Sequence, residues 1–226
     1  MASNPAIKTI NQRPQTRLRA EQSRALETRE TILNAALEEF GEYGFEGANV
    51  RRIAQRAGIK HQLIGYHFGS KDDLWQETAS HFLSDALDLI TRAGRESRSG
   101  TATDLLKQEL RAMLGFHFSN PKIQRLVMQE LIPGNPRLTW LVNGFLRPIR
   151  KSQTALLDAA QDEGGLVDGD TMLIFYLLVG IVTIVPTMQE EIRQNTGLAT
   201  IPDKTLDEYW ALIERLLFPV NRGSTG

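Results

Sequence analysis

The sequence predicts an all-α fold, an N-terminal helix-turn-helix head followed by a C-terminal helical bundle. Three observations carry this. Two short runs with helical apolar spacing meet at a glycine between Val50 and Lys71. A succession of longer amphipathic runs, each closed by proline or glycine, fills the chain from Ser70 to Phe218. One of these, Met172 to Met188, carries no charged residue at all, as a helix buried on every side does.

Taken in order, residues 1–24 hold little periodic apolar content, and Pro5 and Pro14 oppose a continuous helix, so a flexible basic arm is expected there. Its Arg13, Arg17 and Arg19 either reach DNA or belong to an incidental tail. From about Ala25 a first long helix is expected, with Ile32, Leu33, Ala36, Leu37 and Phe40 on one face and Glu30, Glu38 and Glu39 outside it. Gly41, Gly44 and Gly47 then punctuate a loop that turns Tyr43 and Phe45 back toward the core. Asn49 stands where its side chain caps the next helix.

In the following helix-turn-helix, Val50, Ile53, Ala54 and Ala57 form one apolar stripe, Gly58 supplies the turn, and Leu63, Ile64, Tyr66 and Phe68 form the second. Such a unit lays its second helix in the major groove. Gln62 suits a bidentate contact to adenine, Lys60 suits guanine, and His61 suits either more weakly. Arg52 and Arg56 read as a solvated face. The overall charge of −1 gives no support to nucleic-acid binding, but its distribution does: residues 1–75 hold eleven lysines and arginines against nine acids, and the remainder is net acidic.

Ile32-Leu-Asn-Ala-Ala-Leu-Glu-Glu-Phe40, Tyr43-Gly-Phe45, Val50-Arg-Arg-Ile-Ala-Gln-Arg-Ala-Gly-Ile59 and Tyr66-His-Phe-Gly-Ser-Lys-Asp-Asp-Leu74, in that order, resemble the DNA-binding domain of the TetR family of bacterial transcriptional regulators. The resemblance covers residues 25–74 and implies that 75–219 form an effector-binding and dimerisation domain, with 220–226 a disordered tail. It also implies the DNA-facing set. Asn49 and Arg51 would begin the second helix, Lys60, His61, Gln62, Leu63, Gly65 and Tyr66 would make the recognition helix, and Tyr66, His67 and Lys71 would touch phosphates or brace it. Lys60, Gln62, Leu63 and Gly65 depart from the family's usual pattern, so the operator should differ from those of well-matched relatives.

Beyond the head, a helix is expected from Ser70 to about Arg92, a loop over 94–100, a helix from Thr103 or Asp104 to Phe118, and a short one from Ile123 to Leu131. A longer helix should run from Leu138 toward Gln161, kinked at Pro148, before the final amphipathic helix from Leu206 to Phe218. The uncharged run Met172 to Met188 is shorter than the roughly 20 residues of a membrane span and contains Pro186. Burial against both its own domain and a second subunit, with Val179 and Val182 at the contact, is the expected use.

Nothing in the chain suits an enzyme. It has no phosphate-binding glycine motif, no nucleophile elbow and no metal-ligand spacing among His61, His67, His81 and His117. Asp162-Glu163 reads as a helix end. Zero cysteines and a polar N-terminus fit a cytoplasmic protein, without cofactor or metal. Met113, Phe116, His117, Met128, Gln129, Trp140, Phe145, Phe175 and Tyr176 combine apolar walls with polar groups, the composition of a small-molecule pocket. The expectation is a homodimeric regulator, a repressor released from a palindromic double-stranded DNA operator by an unidentified small-molecule effector. The alternative is a helical small-molecule-binding protein or enzyme with a vestigial helix-turn-helix.

Overall fold

In the computed structural model of the chain, the described residues are 13–96, 100–198, 202 and 204–219. Among them there is no strand, and eleven α-helices follow one another. The arm expected over 1–24 is only partly covered. Residues 1–12 lie outside the described residues, as does the tail 220–226, but α1 (Arg13–Gly47) already begins at Arg13. Pro14 opposes a helix only in its interior. In the first turn its missing N–H is one of the donors that have no partner anyway, and its fixed φ suits the helix.

Of the three glycines near the end of α1, only Gly44 takes a positive φ, 67°, and there the helix breaks. The break folds Phe45 back to stack on Phe40, ring centroids 6.1 Å apart and nearly parallel. Gly41 stays helical and buried instead. A Cβ at Gly41 would lie 3.4 Å from both Cβ and the carbonyl oxygen of Lys122, in contact with α6 (Pro121–Met128), which packs against α1 here.

Helices α2 (Val50–Arg56) and α3 (Gln62–Phe68) are joined by a turn at Gly58, φ 66°. The start of α4 (Lys71–Glu96) is fixed reciprocally: the Ser70 backbone N–H and hydroxyl both donate to Asp73 Oδ2, and the Asp73 N–H donates to Ser70 Oγ. One hydrophobic cluster unites Ile32, Phe40, Ile53, Ile64, Phe68, Leu74 and Trp75 of these helices with Ile123, Leu126 and Val127 of α6 and Leu141. The boundary expected at Leu74 therefore falls inside a shared core.

A second cluster fills the far end. It joins α5 (Ala102–Ser119) and α8 (Arg147–Asp162) to α9 (Thr171–Thr187) and α11 (Lys204–Leu217), through residues such as Leu106, Leu157, Leu178 and Trp210. Glu163 lies across the start of α5, its carboxylate accepting from the N–H groups of Ala102 and Thr103 at 2.9 and 3.0 Å. These bonds hold its pKa below the usual glutamate value. It stands at the end of α8, as expected, and from there also caps the start of α5.

The long helix expected from Leu138 to Gln161 is divided. After α7 (Pro136–Leu141) the backbone widens into a π-turn over Val142–Leu146, where the Arg147 N–H bonds to Val142 O, and then narrows again into α8. Pro148 is the cause available in the sequence. It has no N–H for the carbonyl four residues back, and the wide turn gives its ring room without a sharp kink. A further helix that the apolar pattern did not reveal, α10 (Gln189–Thr196), follows α9 at an angle of 57°.

Helix α9 buries one face within the chain and leaves the other exposed, on the side expected to meet a second subunit. Ile174, Leu178 and Val182 face inward, while Met172, Leu173, Tyr176, Leu177 and Ile184 are exposed on the opposite face. Val182 is consequently an interior residue of one chain and not a contact-face residue; Val179 sits at the border. No single described helix is long and apolar enough to cross a membrane.

Candidate nucleic-acid interface and the cavity behind it

The head is organised around an acid that helical spacing had placed outside its apolar face. Glu39 is 0% exposed. Its Oε1 accepts the Asn49 backbone N–H at 2.9 Å and Arg52 Nε at 2.7 Å, and its Oε2 lies 3.4 Å from Arg56 Nε. Arg52 and Arg56 are therefore not a merely solvated face. They extend across from α2 to neutralise a buried carboxylate, with Arg56 also donating to Glu42, a bond that raises its pKa. The signal was present in the sequence: Ile32, Ala35, Ala36, Glu39 and Phe40 form one three- and four-residue stripe, and Arg52 and Arg56 are one turn apart on the next helix. A buried acid on that stripe requires such partners.

With α2 fixed by Glu39, α3 is held by its inner residues Ile64 and Phe68. Arg29 of α1 lies over the Phe68 ring at 4.6 Å and donates to the carbonyl of His67. The outer face of α3 and the turn before it carry Lys60, His61, Gln62, Leu63 and Gly65, all exposed, with Tyr66 83% exposed and T-shaped against His67. Arg51 is exposed at the start of α2.

Two residues of the expected DNA-facing set have local partners. Asn49 caps α2 through Oδ1, which accepts the Arg51 N–H at 2.8 Å. Lys71 is half-buried, with Nζ 4.7 Å above the Phe45 ring and 3.4 Å from Glu46 O. His67 is likewise half-buried beside Phe68.

Arg137, on α7, joins this head to the body. Its guanidinium lies 3.6 Å from the centroid of Phe45, its Nε pairs with the buried Glu130 at 2.9 Å, and its terminal nitrogens approach Asp72 and Glu46. One turn later Trp140 meets Trp75 edge to face, and Phe145 lies against Trp140. Gln129 belongs to the same junction, its Nε2 donating to Gly41 O at 3.2 Å.

Behind the junction, three helices line a partly open, almost wholly apolar cavity of about 80 Å³. Helix α5 contributes Leu106, Glu109, Leu110 and Met113; α8 contributes Ile149, Gln153 and Leu157; α9 contributes Phe175, Leu178, Val179 and Val182. Of the nine expected pocket residues only Met113 and Phe175 line it. Phe116, Trp140 and Phe145 pack on the head-side cluster, Gln129 bonds α1, and Met128 and Tyr176 are exposed.

His117 is 7% exposed but is not among the lining residues, and burial lowers its pKa to about 4. Two polar residues, Glu109 and Gln153, stand among the lining, but the cavity surface itself is almost wholly apolar. Gln153 Nε2 donates to Glu109 Oε2 at 2.9 Å, and burial raises the pKa of Glu109. Leu106, Glu109, Leu110 and Met113 share one helical face, so an acid within that apolar stripe was the available signal.

A buried ion-paired frame presenting a short helix with an exposed outer face, joined to a helical body, has the form of a helix-turn-helix DNA-binding protein. Residues 32–78 match the model of the bacterial regulatory proteins of the tetR family. The chain is 26% identical over 200 residues to the HTH-type transcriptional regulator RutR of Escherichia coli (strain K12), covering 88% of each protein. It is 32% identical over 101 residues to the HTH-type transcriptional regulator BetI of Burkholderia mallei (strain NCTC 10229), 45% of this chain and 49% of that one. Its fold is shared with the ketosteroid transcriptional regulator KstR2 of Mycobacterium tuberculosis, with a TM-score of 0.67 at 18% identity over 85% of this chain and 95% of that one. The chain is thus similar to the TetR family, most directly over residues 32–78, and reads as a DNA-binding transcriptional regulator.

Proposed function

We propose that the protein is a homodimeric cytoplasmic repressor that leaves its operator when a small molecule enters the cavity between α5, α8 and α9. In this reading residues 25–74 are the DNA-binding head and 75–219 the effector-binding and dimerisation body. Arg51, Lys60, His61, Gln62, Leu63, Gly65 and Tyr66 meet DNA directly, while Asn49, His67 and Lys71 hold the helices that carry them. The observation that carries the reading is the exposed polar face of α3 on a frame fixed by the buried Glu39. Two such heads would occupy successive major-groove turns of a near-palindrome, about 34–36 Å or a multiple apart.

Dimerisation is supported by the exposed apolar face of α9, with Leu173, Tyr176 and Leu177, and by Leu212 and Leu216 on α11. Exposed apolar faces of this kind are typical of association sites. Leu173→Glu or Leu216→Glu should give monomers with weakened operator binding; a dimer retained in both would place the contact elsewhere.

The effector acts only through its different affinities for the DNA-competent and DNA-incompetent states. The direct test is selection of bound sequences from a random DNA pool, with and without a metabolite extract. Enriched inverted repeats that are lost on adding one fraction are expected. Sequences without symmetry, or enrichment that no fraction changes, would count against the dimeric operator or the effector respectively.

A further inference from the structure

The cavity between α5, α8 and α9 offers a ligand apolar contact and little room. Its surface is made by leucines, valines, Ile149, Met113 and Phe175, while the polar atoms of Glu109 and Gln153 are engaged with each other. Its volume of about 80 Å³ is near half the roughly 150 Å³ of an apolar cavity that takes a benzene ring. A ring is excluded on that measure. A chain end of about three carbons, each near the roughly 30 Å³ share of a water, fills it. The cavity is also partly open, and of its lining residues only Val179 is exposed, at 37%, so the mouth lies beside α9.

A cation stands at that mouth. Helix α9 returns along α8, and Thr171, its first residue, donates its hydroxyl to Asp158 near the end of α8. Arg150, Thr154 and Asp158 follow one another at four-residue steps, so Arg150 shares the α9-facing stripe of α8. Arg150 precedes Asp158 by as many residues as Val179 follows Thr171, about 12 Å along each helix, which brings Arg150 level with Val179. Its chain neighbour Ile149 lines the cavity itself. Arg150 is half-buried, yet among the described residues no acid pairs with it and no side-chain hydrogen bond holds its guanidinium. Arg52, Arg56 and Arg137 each meet a carboxylate of the fold.

From the narrow apolar chamber and the unpaired guanidinium at its mouth we infer that the effector is an unbranched aliphatic carboxylate, its chain end in the cavity and its carboxylate on Arg150. The inference rests on the reading of this cavity as the effector site. A guanidinium fork matches a carboxylate through two parallel charge-assisted bonds, stronger than those an alcohol makes. An ammonium ion of the same chain would set two positive groups together. The one acid of the lining, Glu109, belongs to α5 and not to the α9-facing stripe that carries Arg150, and its carboxylate is occupied by the Gln153 amide.

The test uses the full-length protein at pH 7.5 and four probes, hexanoate, 1-hexanol, hexylammonium and cyclohexanecarboxylate, with binding followed by ligand-detected NMR titration. Hexanoate should bind the native protein at least tenfold more tightly than each of the others, and affinity should rise about fourfold per methylene from propanoate to hexanoate. Arg150→Gln should reduce the preference for hexanoate over 1-hexanol to less than twofold and leave 1-hexanol unchanged, while Lys151→Gln, one position on, should leave both as they are. Val179→Trp, at the exposed mouth, should weaken hexanoate and 1-hexanol alike by at least tenfold without altering thermal unfolding. Equal or tighter binding of the alcohol, the amine or the ring, a preference that persists in Arg150→Gln, or no binding of any probe would overturn the inference. Operator release is measured separately: hexanoate that binds through Arg150 without releasing DNA would refute the effector role and leave the ligand chemistry standing.

Discussion

Replacing Gly65 by alanine separates what α3 needs for folding from what it needs for DNA. Gly65 lies inside α3 without a positive φ, and a Cβ built on it meets no atom within 4 Å. The substitution is therefore free of strain and of collision in the isolated protein. Glycine costs a helix interior about 0.8–1.0 kcal/mol relative to alanine, so Gly65→Ala should stabilise the protein by up to about that amount. For a chain of this size that corresponds to a rise in melting temperature of roughly 2–4 °C.

On DNA the sign should reverse. Gly65 is exposed between Gln62 and Tyr66 on the face assigned to the groove, and an added methyl holds the backbone away from a phosphate it approaches directly. A loss of at least tenfold in operator affinity, about 1.4 kcal/mol, is expected. Thermal unfolding and a fluorescence-anisotropy titration at fixed salt measure the two effects. A stabilised variant that binds its operator within twofold of the native protein would refute close approach at Gly65, and a destabilised one would refute the open surroundings on which the argument depends.

Three other perturbations probe the frame. Glu39→Ala leaves the Asn49 N–H unbonded and Arg52 and Arg56 without their shared acid; because the arginines are partly exposed and can hydrate, a loss of about 2–4 kcal/mol is expected in urea unfolding, and a loss below 1 kcal/mol would show that the buried pair is not what fixes α2. Arg137→Ala strands the buried Glu130 and uncovers Phe45, and should cost about 3 kcal/mol; Arg137→Lys, which cannot reproduce the flat stacking on Phe45, should recover only part of this, and full recovery would reduce the junction to a charge effect.

His117 sets a pH dependence. Its folded pKa of about 4 lies below the ordinary 6.5, so its contribution is fully present above pH 6.5 and is lost as the pH falls toward 4, where the unfolded chain binds the proton first. Between pH 7.5 and 5.0 the native protein should lose about 2 kcal/mol more than His117→Leu. Glu109 works in the opposite sense: its raised pKa favours the folded state at low pH and that contribution fades as pH rises. It is common to both proteins, so the comparison isolates His117, and equal pH profiles would show that His117 is not buried neutral.

Much of the head was legible because its determinants are local. Gly58 requires a turn, Asn49 and Ser70 announce helix starts, and Ile53, Ile64 and Phe68 repeat at helical spacing. The body helices were found for the same reason, apart from α10, whose Gln, Glu, Arg and Asn residues carry no apolar stripe. Proline was misjudged near Arg13, since its effect depends on whether it falls in a first turn or an interior.

The sequence by itself determined the all-helical fold, the position of the helix-turn-helix and the polar residues on its outer face, since each follows from spacing along one helix or from one turn. Only the tertiary structure decided which groups share a site. Glu39 became the centre of the head because α2 brings Arg52 and Arg56 over it, and Gln129 became a fastening of α1 because the end of α6 brings its amide to the Gly41 carbonyl. His117 and Trp140 do not line the cavity, whose edge instead carries the pair Glu109 and Gln153, 44 residues apart in the chain. Helical periodicity tells which side of a helix is buried, but not what the opposing helix places against it, and the chemistry of a site between helices is settled by that second fact.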